Sequence, residues 1–229
     1  MKKVIFALMM IAMSAVTFVS CNGKRQEPNG EDQTADTLLP CCPPTDFVIS
    51  LVRLNDFPKA EAERVKRELE KHLPEMCFAQ VYVADETMKI PANCLYKPRN
   101  RYWAGKILDM LKITNPDETA NLVRIGLTND DISTSVHGHH NYGIMGLSLR
   151  PGSSCVVSTF RLKHREDLWK VVAHEFLHSR GLPHCGKDNS KCIIQDAHGK
   201  DSFSKKQDLC DDCKKKLEKI LGYRPTREM

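Results

Sequence analysis

An α/β domain with a mostly parallel sheet is the fold this sequence predicts, because short apolar runs of strand character alternate with amphipathic helical stretches. The first such run, Phe47 to Arg53, is apolar without strict alternation, as expected of a strand buried on both faces. Pro58 then opens a helix whose apolar stripe is Ala62, Val65, Leu69 and Leu73. Phe78 to Ala84 reads as a second strand, and Arg101 to Leu111 as a helix with Trp103, Ile107 and Leu111 at four-residue spacing. Leu122 to Leu127 makes a third strand, and Thr128-Asn129-Asp130-Asp131 turns the chain. Two further strand-like pieces, Tyr142 to Leu149 and Ser154 to Phe160, are split by the Pro151-Gly152 turn. A helix from about Arg165 to Arg180 stops at Gly181, with Pro183 just beyond it. From Cys185 to Met229 little period remains until a short Lys-rich helix after Cys213.

This domain is assigned to residues 46–229 of the 229-residue chain, and two segments precede it. Residues 1–20 read as a signal peptide: Lys2 and Lys3 are followed by an apolar run, Val4 to Val19, that ends at Ser20-Cys21. The segment is similar to a bacterial lipoprotein signal, in which the Cys after a small residue is lipidated and becomes the mature N-terminus. Phe18 stands where Leu is usual. Cys21 is therefore the candidate lipidation site, which implies a membrane attachment through lipid and a place in the bacterial cell envelope, outside the cytoplasm. An uncleaved anchor, near the short limit for spanning a bilayer, and an ordinary secretory signal are the alternatives. Residues 21–45 are polar and rich in Pro, Gly and acidic groups, and read as a flexible tether. With the signal's two lysines set aside from the 34 Lys and Arg, 32 basic residues face 29 acidic ones, a net of +3. Such a mixed surface leaves no footprint for nucleic acid.

Residues 174–184 read HEFLHSRGLPH. His174 and His178 are one helical turn apart, so both imidazoles project from one face and can share a metal. Glu175 is rotated about 100° from His174, close enough to hold a metal-bound water without being a ligand. Gly181 lets the backbone reverse and bring up His184 as a third ligand. Three protein ligands leave a fourth position open, the mark of a catalytic rather than a structural zinc.

With these residues the sequence resembles the metzincin metallopeptidases, and within them the archaemetzincin family. That family carries a Cys directly after the third His, a second Cys several residues on, and a later C-x2-C. Here those positions are Cys185, Cys192, and Cys210 with Cys213. Upstream, Ile125-Gly126-Leu127-Thr128 with Asp131-Ile132 looks like the family's strand and acidic turn. Asn141-Tyr142 and Ile144-Met145-Gly146-Leu147-Ser148 look like its edge strand, and Val156-Val157-Ser158 with Arg161-Leu162 like the strand that leads to the zinc helix. The likeness spans about Phe47 to Leu217. One position departs: Ile194 stands where the family has the Met that floors the zinc site. The resemblance implies a metzincin-like domain: a mixed, mostly parallel, twisted sheet with an antiparallel edge strand, an active-site zinc helix and a small cysteine-rich C-terminal subdomain. It also implies that Glu175 acts as the general base on a zinc-activated water, and that Cys185, Cys192, Cys210 and Cys213 hold a second, structural zinc, making two Zn2+ per chain.

The cysteines themselves leave two readings open. The two-pair spacing of the last four suits a tetrahedral thiolate site, whereas an oxidising envelope favours two disulfides. Of the ten cysteines, Cys77 and Cys155 sit in strand-like runs and read as plain buried residues. His137, His139 and His140 read as a solvated loop, with substrate contact or a further metal as alternatives. His72 and His164 lack partners at ligand spacing and read as surface residues. The function that follows is a monomeric zinc metallopeptidase acting on a peptide or protein substrate. Its rivals are a zinc amidase on cell-wall peptides and a zinc-retaining binding lipoprotein with little turnover.

Overall fold

The computed structural model describes residues 47–222, apart from Met76, Phe78, residues 115–120, His137 and residues 198–199. The signal at 1–20, Cys21, the tether at 21–45, Cys41, Cys42 and His137 lie outside the described residues. No helix among the described residues is long and apolar enough to cross a membrane.

In chain order, strand β1 (Phe47–Leu54) leads to helix α1 (Lys59–His72), strand β2 (Ala79–Met88) and the short strands β3 (Leu95–Tyr96) and β4 (Arg101–Trp103). Helix α2 (Ala104–Leu111) and strands β5 (Leu122–Thr128), β6 (Ile132–Val136), β7 (His139–Ile144), β8 (Gly146–Ser148) and β9 (Ser154–Ser158) follow. The C-terminal part holds helix α3 (Leu168–Ser179), entered through a 3-10 turn at Arg165–Asp167, and helix α4 (Asp211–Leu221). The main sheet has the order β2-β1-β5-β9-β8; its first four strands are parallel and β8 is antiparallel to β9 at the edge. The mostly parallel α/β sheet with an antiparallel edge strand is thus what the chain forms.

Both faces of this sheet are covered at its centre, which is why β1, β5 and β9 carry no polar face, whereas the outer strand β2 is largely exposed. In β9, Cys155 and Val157 join the core shared with α1 and α3, while Val156 between them joins the core under α2. That alternation follows the two-residue period of a strand. Gly126 on β5 marks the closest approach of α2: a Cβ there would sit 2.7 Å from both Leu54 Cδ1 and Leu111 Cδ1.

Several elements differ from the sequence expectation. The helix expected over Arg101 to Leu111 begins only at Ala104, because Arg101–Trp103 pairs as β4 with β6, Tyr102 N–H reaching the Asp131 carbonyl at 2.9 Å. Tertiary pairing there overrides the four-residue apolar spacing. The run Tyr142 to Leu149 is two strands in two sheets, parted at Met145, since β7 belongs to a second sheet of order β3-β4-β6-β7. The last helix starts at Asp211 rather than after Cys213; Asp211 and Asp212 in its first turn suit the positive end of the helix dipole. His72 is no bare surface residue, for its ring stacks on Trp169 of α3 at 4.5 Å.

Asp131 joins the two sheets. Its carboxylate is 8% exposed in side chain and accepts from Arg101 Nε at 2.6 Å and from Arg161 Nε and Nη2 at 3.0 and 2.9 Å. Arg101 also donates to the Asn141 carbonyl at 3.0 Å, so β4, β7 and the segment after β9 share one buried charge cluster. Gly126→Val should overfill the contact between β5 and α2 and lower unfolding free energy by about 1–3 kcal/mol in a denaturant titration, with the slope unchanged.

Candidate metal centres

Helix α3 presents His174 and His178 from one face, and each imidazole is fixed by a main-chain carbonyl. His174 Nδ1 lies 2.7 Å from the Ile193 oxygen, and His178 Nδ1 lies 2.7 Å from the Leu182 oxygen. A carbonyl only accepts, so Nδ1 carries the hydrogen in both rings and each Nε2 holds a lone pair. The two Nε2 atoms face each other at 3.1 Å, where two lone pairs repel unless a cation lies between them. A tetrahedral site with bonds of about 2.05 Å to nitrogen has an edge of about 3.3 Å, so the spacing fits zinc. Burial, chiefly, holds the His174 imidazole well below its ordinary pKa and brings His178 down to about 4, keeping both rings neutral as ligation requires.

Gly181 ends the helix with φ of 95°, a value Gly adopts without strain, and the chain turns back through Leu182. His184 then comes up to the pair, its ring centroid 5.5 Å from that of His174 and 4.5 Å from that of His178. One ligand atom from each of the three histidines lies within 4.8 Å of the others. His184 is the most exposed of the three, and its Nδ1 lies 3.9 Å from Asp196 Oδ2.

Glu175 is outside this ligand set but beside it. Ser148 Oγ–H on β8 donates to Oε2 at 2.9 Å, and Oε1 packs so tightly on Gly146 that a Cβ there would come within 2.5 Å of it. Burial pushes the carboxyl up to about 7, against the opposing pulls of the Ser148 hydroxyl and the Lys206 charge. A cleft of about 750 Å³ opens over the three histidines and Glu175, walled by Gly146, Leu147 and Ser148 on one side and by Tyr142, Arg150 and Asp196 among others.

The four C-terminal cysteines also converge, each offering a sulfur within 4.8 Å of the others. Cys185 Sγ and Cys210 Sγ are 3.8 Å apart, the edge of a tetrahedron with metal–sulfur bonds of about 2.3 Å and nearly twice a disulfide bond. None of the seven described cysteines is in a disulfide. The Cys210 main-chain N–H points at Cys192 Sγ, 3.5 Å away, as a donor to a thiolate would. Cys155 is plainly buried within β9, its thiol donating to the Glu175 carbonyl at 3.4 Å.

Every metal ligand expected from the sequence on α3 and in the C-terminal segment is therefore gathered into one of two clusters, with Glu175 beside the first. His139 and His140 are exposed as expected but lie on strand β7 rather than in a loop, because the segment pairs with β6, and they belong to neither cluster. Ile194 is fully buried in the core that also holds Ile193 and Phe203. Sequence reasoning put Gly146 and Ser148 on an edge strand but gave neither a contact with Glu175, and it missed Arg150, Asp196 and Lys206. These residues carry no spacing signal; only the fold brings them to the zinc helix.

No protein-family model matches the chain. It is 28% identical over 184 residues to an archaemetzincin of Halobacterium salinarum, covering 73% of this chain and 97% of that protein. It is likewise 28% identical over 194 residues to an archaemetzincin of Haloquadratum walsbyi, covering 75% and 99% respectively. The crystal structure of archaemetzincin from Methanopyrus kandleri superposes with a TM-score of 0.62 at 22% identity, covering 77% of this chain and 96% of that one. Near-complete coverage of these relatives, the shared fold and the histidine and cysteine clusters make the chain similar to the archaemetzincins in sequence, architecture and candidate metal ligands.

Proposed function

We propose that the chain hydrolyses peptide bonds with a zinc ion held by His174, His178 and His184 and with Glu175 as general base. The observation that carries this reading is the pair of Nε2 atoms 3.1 Å apart, each oriented by a carbonyl behind it, with a carboxylate held alongside. Zinc at these nitrogens supplies Lewis acidity, lowering the pKa of a water to about 7 and polarising the scissile carbonyl. Glu175 takes the proton of the attacking water and returns it to the departing amine nitrogen. Ser148 holds Oε2, so the proton passes through Oε1, which lies against Gly146. Cys185, Cys192, Cys210 and Cys213 hold a second, structural zinc, supported by the 3.8 Å sulfur spacing. The adjacent residues His184 and Cys185 thus serve different ions.

The substrate lies along β8 as an added strand. Ser158 N–H bonds the Met145 carbonyl and Leu149 N–H bonds the Ser154 carbonyl, so Met145, Leu147 and Leu149 face β9. The main-chain groups of Gly146 and Ser148 consequently point to the open edge, where an extended peptide can pair with them. The same two residues touch Glu175, so one strand aligns the peptide and the base. Lipid attachment at Cys21, supported by the signal-like residues before it, would hold this activity in a bacterial cell envelope, outside the cytoplasm.

Glu175→Ala should reduce cleavage of a peptide library at least ~10²-fold while zinc content by metal analysis stays at the parent level. Loss of zinc in that variant, or cleavage at the parent rate, would contradict the assigned role. Peptides with one amide beside the scissile bond replaced by an ester lose a donor to the edge strand. Their KM should rise roughly 2–10-fold with kcat little changed, and an unmoved KM at every position would argue against strand addition.

A further inference from the structure

Lys206 is 1% exposed, yet it carries an ammonium group that is costly to bury without partners. It has specific ones. Nζ donates to the Ile193 carbonyl at 3.2 Å and to the Gln195 carbonyl, and it sits over the Phe203 ring, 4.5 Å from the centroid. The Ile193 oxygen is the same atom that accepts the His174 Nδ1 hydrogen at 2.7 Å. Phe203 in turn meets the His174 ring edge to face, at 5.8 Å and 82°. The carbonyl between the two that Lys206 grips, that of Ile194, accepts the Cys185 N–H at 3.1 Å. One lysine therefore touches both supports of a catalytic ligand and the turn that meets the cysteine cluster.

We infer that Lys206 is a positioning residue for the histidine centre: its ammonium fixes the turn Ile193–Gln195, so that the Ile193 carbonyl aims the His174 Nε2 lone pair at the metal. This rests on the two-metal reading above. The chain supplies a reason for a cation rather than an apolar side chain here. The carbonyls of Ile193 and Gln195, two residues apart, both accept from Nζ, and an ammonium with three donors can hold both at once. An apolar residue of the same length would fill the space but leave the Gln195 and Ile193 carbonyls to reorient. His174 would then lose its aim while His178, aimed by Leu182, would not.

The test uses the full chain loaded with Co2+, whose thiolate charge-transfer absorption reports the cysteine centre separately from the weaker bands of a histidine centre. Lys206→Met should lose about 10–100-fold in Co2+ affinity at the histidine centre in a chelator competition, with the thiolate absorption intact. Leu69→Ala, on α1 in the core and in neither ligand cluster, serves as the control for mere destabilisation: it should melt earlier and keep parental affinity. Parental affinity in Lys206→Met, or an equal loss in Leu69→Ala, would overturn the inference. Should Lys206→Met not fold, Lys206→Arg carries the test. Its longer planar fork keeps charge and donors but cannot hold the two carbonyls in the same way, so a loss of about tenfold confined to the histidine centre is expected. Parental affinity there would equally overturn it. A parent chain that binds no Co2+ at the histidines would instead overturn the proposed function itself.

Discussion

Three consecutive main-chain carbonyls, those of Ile193, Ile194 and Gln195, tie the two clusters of candidate ligands to one short turn. The first receives the His174 imidazole and the Lys206 ammonium, the second the Cys185 amide, and the third Lys206 again. The turn is itself held from behind, because Ile193 N–H bonds the Asp208 carbonyl and Gln195 N–H the Cys192 carbonyl. Residues 185–210 contribute few regular elements of their own. A tetrahedral thiolate site would therefore supply the rigidity that a core does elsewhere. The position of the His174 lone pair depends in this way on a segment that helix α3 does not contain.

The opposite side of the site depends on the sheet. Among the described residues β8 has one sheet partner, and its outward main-chain groups lie on the residues that pack against Glu175. Gly146 has no side chain because the carboxylate occupies that space, and Ser148 supplies the hydroxyl that orients it. Strand, base and cleft are thus one mechanical unit. The buried Asp131 cluster fixes β4 and β7 to the end of β9 and so sets the second wall, from which Tyr142 reaches the cleft.

Much of this was legible in the sequence where spacing alone dictates geometry. His174, Glu175 and His178 share a helix, and Gly181 takes a positive φ, so the path to His184 follows from local rules. The four cysteines are gathered as their paired spacing suggested. The strands β1, β5 and β9 were visible because burial on both faces leaves them mostly apolar, without the alternation of a half-exposed strand. What was hidden depends on distant partners. Arg101–Trp103 looked helical until β6 paired with it, and the break at Met145 that sends β7 and β8 into different sheets falls inside one continuous strand-like run, where Gly143 and Gly146 give no turn pattern of their own. Lys206 lies in a run, Ser204-Lys205-Lys206-Gln207, that reads as solvated surface; only the fold shows that one of its two lysines is inside.

The central claim is that two chemically different metal centres share the Ile193–Gln195 turn, and X-ray absorption at the zinc edge tests it most directly. The zinc-loaded chain should carry two ions, one with four sulfur neighbours at about 2.3 Å and one with nitrogen neighbours at about 2.0–2.1 Å. A single zinc per chain without sulfur neighbours, with mass spectrometry finding Cys185, Cys192, Cys210 and Cys213 joined in two disulfides, would contradict it.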